Sequence, residues 1–108
     1  MKYLFLICID PAIELTPEQV PVGAWIAEMT ERKVRVMGER LRPVSDATVV
    51  SQRDGEVLIS DGPFAETKEQ IGGFDVIECA DLDEAIEIAS KHPVGKYGRI
   101  EIRPFWPM

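Results

Sequence analysis

Between two stretches of β-forming residues the sequence runs Asp61-Gly62-Pro63-Phe64-Ala65-Glu66-Thr67-Lys68-Glu69-Gln70-Ile71-Gly72-Gly73-Phe74. Neighbouring strands can be joined by about two to five residues, whereas this segment spends roughly ten on ionisable, aromatic and turn-forming groups. Asp61 closes a strand-like run and meets Gly62-Pro63 at once, so its carboxylate emerges at a strand end beside a turn that can approach a ligand. There it suits a polar anchor or an acid/base group. The competing role is an Asx turn, with Asp61 capping its own backbone amides.

Glu66, Lys68 and Glu69 follow in the same loop. If residues 66–70 form one helical turn, Glu66 and Glu69 or Gln70 share a face. Paired carboxylates shift each other's pKa and can divide acid and base roles. The plainer alternative is a set of solvated charges, with Thr67 a weak contact at most. Gly72-Gly73 allows close approach of a backbone or a ligand before the next strand. It is not a dinucleotide fingerprint, and no phosphate loop of the GxxxxGK type occurs.

His92 is the single histidine, so one chain cannot build a two-histidine metal site, and no Cys/His metal spacing exists. Its position in the last turn of a helix suggests a cation on the helix dipole, with proton transfer as the alternative. Ser60, Asp61 and His92 are residue types of a nucleophilic triad, but nothing in the sequence brings them together. No cofactor is expected.

These groups need elements to carry them. Residues 2–9 are apolar at every position after Lys2, the mark of a strand buried on both faces; Asp10-Pro11 ends it. Thr16-Pro17-Glu18-Gln19 has the form of a helix start, with the main helix over about 22–33 and Val22, Trp25, Ile26 and Met29 as its buried stripe. Val34-Arg35-Val36 up to Gly38 reads as a short extended piece, or as more helix to Met37. Thr48–Ser51 and Val57–Ser60 around Asp54-Gly55 predict a hairpin.

Residues 73–79 alternate as a half-exposed strand. Asp81 and Glu84 predict a capping box opening a second helix, with Leu82, Ala85, Ile86 and Ala89 on its apolar side. Arg99–Arg103 alternates as the last strand. The tail Phe105-Trp106-Pro107-Met108 reads as an interface element.

The order β-α-(β)-β-β-α-β predicts an α+β fold of the ferredoxin-like split βαβ type, an antiparallel sheet with two helices on one face. Its other face would leave strand 2–9 uncovered, and large apolar patches are unusual on monomers. A homodimer joined through the sheets is therefore expected. A length of 108 residues fits one domain spanning 1–108.

Nineteen acidic against twelve basic residues leave a net charge of −7, which opposes nucleic-acid binding. No apolar run approaches a bilayer span. The two cysteines, Cys8 and Cys79, are expected to be buried thiols without a disulfide. The setting expected is cytoplasmic.

The run from Asp61 to Gln70 with Gly72-Gly73-Phe74 resembles the signature of the DGPF group within the YCII-related proteins. Met1-Lys2-Tyr3-Leu4, Asp81-Leu82-Asp83-Glu84-Ala85 and Glu101-Ile102-Arg103-Pro104 extend the resemblance over essentially the whole chain. It implies a ferredoxin-like fold dimerising as a dimeric α/β barrel, and no particular reaction. Some relatives are found with extracytoplasmic-function sigma factors. The wider family's proposed active site pairs His with Asp. Asp61 matches the aspartate, the first helix here has no histidine, and His92 is the substitute the chain offers.

The expectation is therefore a small-molecule-binding protein or enzyme with a pocket between sheet and helices. Asp61, Gly62, Pro63, Phe64, Glu66, Lys68, Gly72 and Gly73 would line or rim it. The alternative is a non-catalytic regulatory module.

Overall fold

A computed structural model describes residues 1–65 and 67–107. Glu66 and Met108, the first a proposed ligand contact and the second part of the proposed interface tail, lie outside the described residues.

The elements are β1 (Lys2–Ile9), α1 (Val22–Glu31), β2 (Arg35–Arg40), β3 (Thr48–Arg53), β4 (Glu56–Asp61), β5 (Gln70–Glu78), α2 (Leu82–Ser90) and β6 (Arg99–Pro104). Four strands form one antiparallel sheet in the order β2-β5-β1-β6, and β3-β4 form a separate hairpin. With the hairpin set aside, the β1-α1-β2-β5-α2-β6 path is the ferredoxin-like fold. The hairpin is an insertion between the second and third strands of that frame.

Strand alternation sorts the sheet into two faces. Tyr3, Phe5 and Ile7 of β1 and Ile77 of β5 are buried with Trp25, Met29, Ala85 and Ile88, so both helices cover that side. Leu4, Leu6, Phe74 and Val76 point to the opposite, open side and are half-buried. Arg99, Glu101 and Arg103 line its β6 edge, paired in register with Cys8, Leu6 and Leu4.

Local sequence explains the boundaries. Asp54 and Gly55 take φ of 52° and 80°, the left-handed pair that a primed hairpin turn requires. At the end of α1, Lys33 at φ 60° reverses the chain into β2. Thr16 and Gln19 make the reciprocal bonds of a capping box, but Pro21 separates that turn from α1, which starts without a side-chain cap. Asp81 caps α2 by accepting from Glu84 N. The Glu84 carboxylate accepts from Ala80 N, one residue before the expected partner. Across the outer surface, Arg32 grips Glu87 with two nitrogens (3.1 and 2.7 Å) and Lys91 reaches Glu28 (2.8 Å), tying α2 to α1.

Two expectations are corrected here. Leu82 and Ile86 are about half exposed, while Ile88 is fully buried, so the buried side of α2 is Ala85, Ile88 and Ala89. Trp25 fixes this rotation, because its Nε1 donates to the Ile88 carbonyl at 3.1 Å. Cys8 is not in the core. It is a free thiol on the open face of the sheet and is only half-buried, whereas Cys79 is buried as expected.

Candidate functional site

The ends of β1, β2 and β4 and the start of β5 gather at one end of the sheet, and the long loop lies there. It faces the connector from Leu41 to Ala47, whose short 3-10 turn spans Val44–Asp46. Two backbone hydrogen bonds bind the pieces together. Leu41 N donates to Gly72 O (2.9 Å) and Gly62 N donates to Ala47 O (2.8 Å). Between them opens a cleft of about 400 Å3, walled by Leu41, Pro43, Val44, Ala47, Pro63 and Ile71, with Arg42, Asp46 and Gln70 as its polar members. Arg42 Nε pairs with Asp46 Oδ2 at 2.8 Å on the rim.

Gln70 shapes the loop from inside. Its amide nitrogen donates to Ala65 O (3.0 Å), Thr67 O (2.9 Å) and Thr67 Oγ1 (3.2 Å). A loop with so few apolar contacts would otherwise have little to order it. Glu69 is tied to β6 through Arg99 at 3.3 Å.

The expected site residues fall in different places. Pro63 lines the cleft, joined to Gly62 by a cis peptide. Gly62 itself is a packing glycine, since a Cβ there would lie 3.0 Å from both Ala47 Cβ and Val49 Cγ2. Gly73 is buried against β2, where a Cβ would sit 3.1 Å from Glu39 O. At Gly72 a Cβ would make only ordinary contact, 3.5 Å from Ile9 Cγ2. Phe64 is 90% exposed, and Lys68 is exposed.

Asp61 is exposed at the end of β4, opposite Thr48. Among the described residues no backbone amide donates to its carboxylate, so the Asx turn is not formed; the backbone bond from Gly62 N holds the turn instead. Alternation along β4 places Asp61 on the same hairpin face as Val57 and Ile59.

His92 belongs to a different place. It borders a second cleft of about 510 Å3 between α1 and the end of α2, together with Trp25, Glu28, Lys91 and Lys96. Its ring stands 4.6 Å from that of Trp25, and its Nδ1 accepts from Val94 N at 3.1 Å. Burial pushes its pKa down to about 4. A neutral imidazole cannot be the helix-dipole cation that its sequence position suggests. It acts as the cap of the short turn Pro93–Lys96.

The sequence assigns no role to the 41–47 connector; the Arg42/Asp46 spacing of four is the one signal it offers. It gives no sign of a buried ion pair either. Asp75 sits in the middle of β5 on the helix side and Arg35 of β2 reaches it. Gly38 makes room, for a Cβ there would collide with the Asp75 carboxylate and the Arg35 guanidinium. Among the described residues, no group of His, Cys, Asp and Glu is placed to hold a metal ion. Among the described residues, no helix is long and apolar enough to cross a membrane.

Comparison with known proteins places this architecture in a class. The model of the YCII-related domain matches residues 1–108. The chain belongs to the YCII-related family. It is 45% identical to an uncharacterized protein of Rhizobium meliloti (strain 1021), over 76% of this chain and 80% of that one. Among solved structures it is similar to 5-chloro-2-hydroxyhydroquinone dehydrochlorinase from Burkholderia phenoliruptrix AC1100, in complex with 2,5-dihydroxybenzoquinone. That similarity has 15% identity and a TM-score of 0.49, and it covers 98% of this chain and 94% of the other.

Proposed function

We propose that this protein is a homodimer that binds a compact, mostly apolar small molecule in the cleft between the 41–47 connector and the Asp61–Gly73 loop. One observation carries this reading: two irregular segments are pinned by the Leu41–Gly72 and Gly62–Ala47 bonds around an apolar cleft of about 400 Å3. Ligand sites are concave, mainly apolar, and carry a few convergent polar groups. Here those groups are Arg42 and Gln70. Asp61, two residues before Pro63, is the anchor at the margin and the group available for proton transfer.

The dimer is supported by the half-buried apolar row of Leu4, Leu6, Phe74 and Val76 on a sheet face that no helix covers.

A thermal-shift screen of a metabolite library, run on wild type beside Asp61→Asn and Ala47→Phe, tests the reading. A ligand at 100 times its Kd stabilises the native state by about 2.7 kcal/mol. A hit abolished by Ala47→Phe and weakened by Asp61→Asn is the expected result. Hits indifferent to both changes would reject this cleft.

A second reading, a protein-interaction module, draws on the tail, where Trp106 is 90% exposed. In that case the library would stay silent, and Trp106→Ala would abolish capture of a partner.

A further inference from the structure

The β3-β4 hairpin is anomalous as a free element. It is hydrogen-bonded along its whole length, from Thr48–Asp61 to Arg53–Glu56, yet every residue of β4 is exposed. A lone two-stranded hairpin is marginal in water. This one also presents an apolar face. Val50, Val57 and Ile59 lie on one side by register and alternation, exposed at 64%, 61% and 71%. Among the described residues both long edges are unpaired as well, since β3 and β4 bond only to each other. Such an edge invites another strand or another chain.

The sequence does not blunt this face as surfaces normally do. Charges sit at the turn, in Arg53, Asp54 and Glu56, and at the root, in Asp61, leaving the middle uncharged.

We propose that the hairpin is a dimerisation arm whose Val50/Val57/Ile59 face packs against a second copy of this chain, which also brings Asp61 to the subunit interface. The inference rests on the homodimer reading above and deepens it. A second copy is the occupant that fits, because the chain carries two uncovered apolar surfaces, the open sheet face and this hairpin face. A twofold pair can cover both at once.

The size is modest. The six hairpin residues on that face (48, 50, 52, 57, 59, 61) and the ten open-face residues (4, 6, 8, 37, 39, 74, 76, 99, 101, 103) make sixteen a side, at the small end of the scale set by the roughly 20–30 residues of a standard interface. Charge agrees in sign. The hairpin carries one basic and three acidic residues, whereas β6, at the edge of the open face away from Glu39 of β2, carries Arg99 and Arg103 against Glu101. Because Asp61 shares its face with Val57 and Ile59, a partner on that face lies beside the aspartate.

Analytical ultracentrifugation of wild type, Val57→Lys/Ile59→Lys and Leu6→Lys from nanomolar to high micromolar concentration decides the matter. Wild type is expected as a dimer, with the hairpin double variant dissociating at least about 100-fold more readily and keeping its circular dichroism. If the hairpin variant dimerises like wild type while Leu6→Lys does not, the arm is wrong and the dimer stands. If wild type is monomeric throughout, both readings fall. Amide hydrogen exchange on wild type gives a reading that needs no variant. Hairpin amides should be protected at high concentration and lose protection on dilution. Rapid exchange in a demonstrated dimer would overturn the arm.

Discussion

Arg35 Nε donates to Asp75 Oδ1 at 2.8 Å between neighbouring strands β2 and β5, on the side of the sheet that carries the helices. Burial pushes the Asp75 carboxyl above its ordinary 3.8, with the hydrogen bond and charge of Arg35 pulling it back. A buried pair of this kind adds little over a well-packed apolar pair, but breaking it strands a charge.

Arg35→Met should therefore cost about 3 kcal/mol at pH 7 in urea denaturation, and Arg35→Met/Asp75→Leu should recover most of it. The sign with pH follows from the raised carboxyl. Its favourable contribution is present below 3.8 and is lost as pH rises through the folded value. Without Arg35 that value climbs further, so the deficit of Arg35→Met should shrink as pH falls. A deficit independent of pH would contradict the assignment.

His92 has the opposite dependence. Its folded value, about 4 against an ordinary 6.5, means that the unfolded chain binds a proton the folded chain refuses. Its contribution is intact above 6.5 and is lost as pH falls toward 4. Glu28, Lys91 and Lys96 line the same cleft, so the comparison must isolate the imidazole. His92→Asn keeps a capping acceptor for Val94 N without titrating there. Between pH 7 and 4, wild type should lose about 3 kcal/mol more than His92→Asn. Parallel curves would refute the buried neutral imidazole.

Gln70→Glu exchanges a donor for a carboxylate facing Ala65 O and Thr67 O, both acceptors. The loop should lose its internal bonds while the sheet keeps its packing, at a global cost of about 1 kcal/mol. Limited proteolysis should then cut within residues 61–70 much faster than in wild type. Unchanged cleavage would show that the amide does not hold the loop.

How far the sequence speaks depends on whether a signal is local. The apolar run of β1, the Asp54-Gly55 turn and the Asp81 cap each rest on a few adjacent residues, and each is present. The Arg35–Asp75 pair joins residues forty apart, and an aspartate in an alternating strand reads as a wet position until Gly38 is seen to vacate the space. Leu82 and Ile86 keep helical spacing, yet the Trp25–Ile88 bond turns them outward. The Asp61 loop was legible as a place, while the connector forming its other wall was not. Leu41 meets Gly72 only through tertiary structure.

The most direct test is a titration of a screening hit into isotope-labelled protein, followed by amide chemical shifts. The largest changes should fall on Leu41, Arg42, Ala47, Ile71 and Gly72, around the pinned cleft. Changes centred instead on Trp25, His92 and Lys96, with none along the connector, would place the ligand between the helices and contradict the proposal.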